Sequence, residues 1–83
     1  MLNDKQVEII KNKYPIGTRI RLHHMADDYG VPDGTLGTVD YVDGAGQIQM
    51  TWDNGRSLAL IEDEDTFEVI EKAINNTEYN INL

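Results

Sequence analysis

The hydrophobic period of this sequence changes once, across Tyr14-Pro15-Ile16-Gly17, and that change divides it into one helix followed by a run of strands. On the N-terminal side, Val7, Ile10 and Tyr14 share a stripe at helical spacing, with Ile9 beside it. Asn3 is positioned as the N-cap and Gln6, three residues on, completes a capping box, while Leu2 and Val7 take the staple positions. Pro15 excludes Tyr14 from the helical region, so the spacing predicts a short helix over about residues 3–14.

Beyond Gly17 the period is two. Thr18 to Met25 places Ile20 and Leu22 on one face and Arg19, Arg21 and His23 on the other, as a half-buried strand does. Ala26 to Asp33 is polar and reads as a long loop, closed by the turn residues Pro32-Asp33-Gly34. Thr35 to Val42 is the second strand, with Gly37 marking a bulge or sharp bend. After Asp43-Gly44-Ala45-Gly46, the stretch Gln47 to Trp52 alternates cleanly. Asn54-Gly55 then predicts a type I′ hairpin into a fourth strand, Arg56 to Ile61, with Leu58 and Leu60 inward. Glu62 to Thr66 is an acidic connection into a fifth short strand, Phe67 to Ile70.

That order is the plan of a mainly β, SH3-like five-stranded barrel with a short N-terminal helix. Closure removes the exposed edges an open sheet would carry. An OB-type barrel would need a helix between its third and fourth strands, and Asp53-Asn54-Gly55 leaves no room for one. Residues 1–70 are expected to form a single domain and residues 71–83 a loosely ordered tail. A chain of 83 residues has room for one core, and such a domain buries about 60–65% of its unfolded surface.

Charge is distributed unevenly. Residues 1–21 hold five basic residues against two acids, whereas residues 22–83 hold only Arg56 and Lys72 against thirteen acids. The net charge is −8, the reverse of the basic face that binds phosphates. Direct contact with nucleic acid or anionic lipid is therefore not expected, and a protein partner with a basic surface is. Acidity of this kind also keeps a small domain soluble. The absence of cysteine excludes disulfides and thiolate zinc sites and suits a cytoplasmic location. No apolar run reaches the length of a signal peptide or a membrane span.

Nothing in the sequence points to catalysis. Ser57 is the only serine and lies in a predicted strand, without the turn that exposes a nucleophile. His23 and His24 are adjacent, so on a strand they point to opposite faces and cannot share a metal. The acidic stretches lack the Asp-x-Asp-x-Asp-Gly spacing of a calcium loop. No enzyme activity, metal or cofactor is expected. Aromatic anchors are the better candidates, because Tyr and Trp dominate binding hot spots. Tyr29, flanked by Asp28 and Gly30, has no apolar periodicity to bury it. A groove of Tyr29, Asp27, Asp28 and Trp52 would suit a basic or proline-containing peptide. Asp63 and Asp65 of the second acidic stretch are binding candidates through their charge, and the sequence does not say whether the two acidic loops are neighbours. Trp52 is also in phase with Ile48 and Met50 and so equally a core candidate.

Three blocks carry a family likeness: Tyr14 to Leu22 (YPIGTRIRL), Pro32 to Val39 (PDGTLGTV) and Trp52 to Leu60 (WDNGRSLAL). Together they resemble the family numbered 4314 among domains of unknown function, over roughly Tyr14 to Val69. The resemblance implies small proteins of Gram-positive bacteria and their phages or mobile elements, with no catalytic residues to carry over. Ile61 to Asp65 departs from it toward acid. The segment Gly34 to Val39 is also similar to the glycine-paced strand of KOW-type barrels in ribosomal and transcription proteins. The expectation is a non-catalytic protein-binding accessory module, monomeric or weakly self-associating. A second reading is an acidic inhibitor that imitates the charge array of DNA, and a third is a KOW-like nucleic-acid binder.

Overall fold

The computed structural model describes residues 2–73. Helix α1 (Asp4–Lys13) precedes four strands, β1 (Arg19–His24), β2 (Leu36–Val42), β3 (Ile48–Trp52) and β4 (Thr66–Glu71). The helix begins where its cap predicts. Asn3 Oδ1 accepts from the Gln6 N–H at 2.8 Å and Gln6 Oε1 accepts from the Asn3 N–H at 2.9 Å, so two otherwise orphaned donors are satisfied reciprocally. Val7 and Ile10 are buried, Ile9 faces solvent, and the Tyr14 N–H closes the last turn on the Ile10 carbonyl. Among the described residues no helix is long and apolar enough to cross a membrane.

The strands form one antiparallel sheet in the order β3-β2-β1-β4, so the first strand lies inside and the last at an edge. Ile20 and Leu22 of β1, Val39 of β2 and Ile48, Met50 and Trp52 of β3 are all at most 1% exposed. Each such side chain contributes about 1.5–3 kcal/mol through burial. Met25, Val31 and Leu60 complete this core from the connections, and the helix covers one end of it through Val7 and Ile10.

Five strands in a closed barrel were expected, and four in an open sheet are found. Arg56 to Ile61 is not a strand; its only bridge joins Leu60 to Ile48, with N–H to O=C bonds of 2.9 and 2.8 Å. The Trp52 indole N–H donates to the Leu58 carbonyl at 2.8 Å, which takes that carbonyl out of any ladder in the middle of the segment. Leu60 nevertheless points inward as its spacing predicts.

Two local expectations are also corrected. The hairpin is not type I′, which needs positive φ at both central residues. Trp52 pairs with Arg56 across the three residues Asp53 to Gly55, and only Gly55 is left-handed, at φ 91°. The Asn54 side chain instead accepts from the Arg56 N–H at 3.0 Å. Nor does a bulge lie at Gly37, which pairs in continuous register with Ile20 and with Trp52. The β2–β3 register slips between Val39 and Tyr41, which makes Asp40 the extra residue and returns Val42 to the core face. Past residue 70, where the tail was expected to start, Glu71 belongs to β4 and the Ala73 N–H donates to buried Thr18 Oγ1 at 3.2 Å. The rest of that tail, 74–83, lies outside the described residues.

Candidate protein-binding surface

The loop between β1 and β2 is held at both its root and its tip. Met25 and Val31 are buried beneath it. At the tip, Asp27 Oδ1 accepts from the Tyr29 N–H at 2.8 Å, and the Arg56 guanidinium reaches across to donate to the Tyr29 carbonyl at 2.9 Å. The backbone of Tyr29 is thus fixed while its side chain stands in solvent, 85% exposed. Asp27 and Asp28 beside it are exposed as well.

The second acidic stretch folds as a tight turn in which the N–H groups of Glu64 and Asp65 both donate to the Ile61 carbonyl. Asp65 is its clasp. One carboxylate oxygen accepts from the Ile61 N–H at 2.8 Å, and the other accepts from the Ala26 N–H at 2.8 Å. The two acidic loops, thirty-nine residues apart in sequence, are thereby neighbours in space. A cleft of about 220 Å³ runs between them, floored by Met25, Leu58 and Ile61 and edged by Asp27, Glu64 and Asp65. On its other flank the same turn borders a second cleft of about 470 Å³, shared with Leu2 and Ile10 of the helical segment and with Ala45 and Gly46. The turn therefore stands as an acidic ridge between two partly apolar clefts.

Glu62, at the root of the ridge, is committed to the helix. Lys13 Nζ pairs with its carboxylate, and the Tyr14 hydroxyl donates to the same oxygen at 3.0 Å. Partial burial works to raise the Glu62 carboxyl, but the lysine and the tyrosine outweigh it and hold it below the usual carboxylate range. For Tyr14, burial comes first and the neighbouring carboxylate adds to it, so the phenol is pushed up to about 12. Asp63 and Glu64 are exposed and make no ion pair among the described residues.

The charges of β1 are matched within the chain. Arg19 holds Asp53 in a two-pronged pair at 2.9 and 2.8 Å and also reaches Thr38, and that guanidinium keeps the Asp53 carboxyl low. Arg21 and His23 both meet Glu68, whereas His24 meets Asp33. The bases of β1 thus lie against acids of this chain, whereas Asp27, Asp28, Asp63 and Glu64 of the loop and the ridge make no ion pair among the described residues.

Of the six candidate residues, Asp27 edges the cleft between the two loops, Asp28 and Tyr29 are exposed in the first loop, and Asp63 is exposed on the turn, where it edges the other cleft. Asp65 edges the cleft between the loops, but as the clasp. Trp52 does not belong: at 1% exposure it lies in the core, its ring over Gly37 and its only polar atom bonded to Leu58. Two contributors were missed. Glu64, which edges both clefts, lay in plain view within the acidic stretch, but Arg56 as the strut of the Tyr29 loop has no local signal at all.

The profile of a family described as a domain of unknown function (DUF4314) matches residues 3–70. The chain belongs to the DUF4314 family. The DUF4314 match begins at the helix N-cap and ends within β4, so it takes in the helix, the Tyr29 loop and the acidic turn, beyond the Tyr14 to Val69 span of the resemblance. No curated protein and no solved structure matches the chain.

Proposed function

We propose that this DUF4314 domain is a non-catalytic protein-binding module that presents its acidic ridge and the Tyr29 loop to a partner with a basic surface. One observation carries the reading: the Asp65 carboxylate bonds Ala26 and so unites two acidic loops on one surface. A rigid, exposed tyrosine beside unpaired carboxylates supplies both an apolar anchor and charge complementarity at little entropic cost. The reading places the protein in the cytoplasm, as a product of a phage or mobile element, and as a monomer or weak oligomer.

The same observation favours a second reading, an acidic inhibitor whose ridge stands in for the phosphates of DNA against a nucleic-acid-handling enzyme. A KOW-like role is less well supported, because Arg19 and Arg21 are spent on Asp53 and Glu68. We further read the open sheet as an SH3-like plan whose fourth strand is reduced to a bridge. In support, the Trp52–Arg56 and Ile48–Leu60 pairs lie in one antiparallel register.

Affinity capture from bacterial lysate, with and without nuclease, tests the function. The expected result is a protein captured equally in both conditions and lost with the Asp28→Lys, Asp63→Lys double variant. Capture that disappears with nuclease overturns the reading, and so does capture indifferent to the charge reversal. A captured enzyme that acts on DNA, and is inhibited by the bound domain, moves the second reading to first place.

A further inference from the structure

Strand β4 is bonded to the rest of the sheet along one side only. Its register with β1 runs from Thr66 to Glu71, and among the described residues no strand lies along its other side. Because strands bond on alternate sides, alternate N–H and C=O groups of this strand face outward. Five of its six residues are exposed, including Val69 and Ile70 at 38% and 40%. The opposite edge of the sheet differs, since β3 is covered by the Leu60 bridge.

We propose that the outer edge of β4 accepts an extended, basic segment of the partner protein as an added strand. The inference rests on the protein-binding reading above and names how the partner enters. Charge selects the occupant. From Glu62 to Lys72 the chain carries six acids and one base. Glu62 holds Lys13 and Glu68 holds Arg21, but Asp63, Glu64 and Glu71 make no ion pair among the described residues, so an added strand lies beside net negative charge. A second copy of β4 is a poor fit. A second copy brings the same run of six acids and one base to the edge, so net charge opposes self-pairing. A lysine or arginine of a foreign strand beside Glu71 meets a carboxylate that makes no ion pair among the described residues, while main-chain bonding supplies affinity that is indifferent to side chain.

The probe is a fluorescein-labelled octapeptide of alternating lysine and valine, followed by polarisation and by NMR amide exchange on the unmodified protein. Two controls accompany it. One replaces every lysine with glutamate; the other keeps the lysines but replaces the two central valines with proline, which removes N–H groups without changing charge. The proposal expects the basic peptide to bind, to weaken about tenfold or more with either control, and to slow exchange at the outward amides of Phe67 to Glu71. Equal binding of the proline version, with protection confined to Ala26–Tyr29 and Ile61–Asp65, overturns the edge and leaves the ridge reading standing. Binding of neither basic peptide overturns both. Slow exchange of those amides in the protein alone also overturns the proposal, a second copy being the occupant if sedimentation shows a dimer and the chain itself if it shows a monomer.

Discussion

The ring of Trp52 lies so close over Gly37 that a Cβ added at residue 37 would stand 2.5 Å from Trp52 Cε3. The two residues face each other across the β2–β3 ladder, so the absent side chain makes the space that the indole fills. Gly37→Ala is expected to cost about 1–3 kcal/mol, the usual range for overpacking. Urea denaturation measures it. Combined with Trp52→Leu, the glycine substitution should become nearly neutral, because the atom it strikes is gone. Additive losses would mean that Gly37 serves its own backbone and not the ring.

Asp65 and Asp63 stand two residues apart on one turn and should behave oppositely. Asp65→Ala strips a partner from the N–H groups of both Ile61 and Ala26, and about 1–3 kcal/mol of stability is expected to go with them. Asp63→Ala, on an exposed site, should stay within about 0.5 kcal/mol of the parent. Paired denaturation curves check both. Charge-reversal experiments on the ridge therefore belong at Asp63 and Asp28, since reversal at Asp65 would confuse lost binding with lost folding.

The helix cap offers a local test. Asn3→Ala should lower stability by about 1 kcal/mol, and Asn3→Gly by only a few tenths, because glycine leaves the cap open to water. Thermal melts of the three proteins would resolve that order. Equal losses in both variants would argue that the reciprocal bonds with Gln6 contribute little.

Acid should weaken the fold through carboxylates that ionise more readily in it than in the unfolded chain. For Asp43 burial opposes the shift, but bonds from Gln47, Gln49 and Ala45 override it; Asp53 is lowered by Arg19, and Glu62 by Lys13 and Tyr14. Their contribution is complete above the ordinary carboxylate values and fades as pH falls through the lowered native ones, below about pH 4. Tyr14 acts at the other extreme. Its native value of about 12 exceeds the ordinary 10.0, so the unfolded chain loses the proton first and stability declines as pH rises from 10 toward 12. Melts across pH should show both limbs. Glu62→Gln is expected to flatten the acid limb and Tyr14→Phe the alkaline one.

Period and capping made most of these elements legible in the sequence. The helix start was readable because Asn3 and Gln6 interact within one turn, and Ile20, Leu22, Ile48 and Met50 were placed inward by spacing alone. The failures share a cause, which is contact between residues remote in sequence or through a side chain. Arg56–Ile61 has the alternation of a strand, yet the Trp52 indole takes the Leu58 carbonyl that a ladder would use. Gly37 was flagged as exceptional for the wrong reason, since no local rule reveals that an indole will lie on it. Asn54-Gly55 favoured one turn, and the Asn54 side chain bonding Arg56 produced another. At the candidate surface, the exposure of Tyr29 followed from its polar neighbours. The adjacency of the two acidic loops did not, because it depends on Asp65 reaching back to Ala26.

Strand β1 sits between β2 and β4, and its pairing of Ile20 with Val69 joins residues forty-nine positions apart. On the ribosome, that arrangement imposes a delay. The helix and the β2–β3 hairpin can form as they emerge, but the first strand of the sheet remains half-paired until residue 71 has left the exit tunnel. Contacts of such long range are slow to form, and the apolar stripe of β1 stays partly uncovered in the meantime. Stalling translation shortly before β4 emerges should therefore yield a nascent chain that is sensitive to protease, and release of that last strand should make it resistant in a single step.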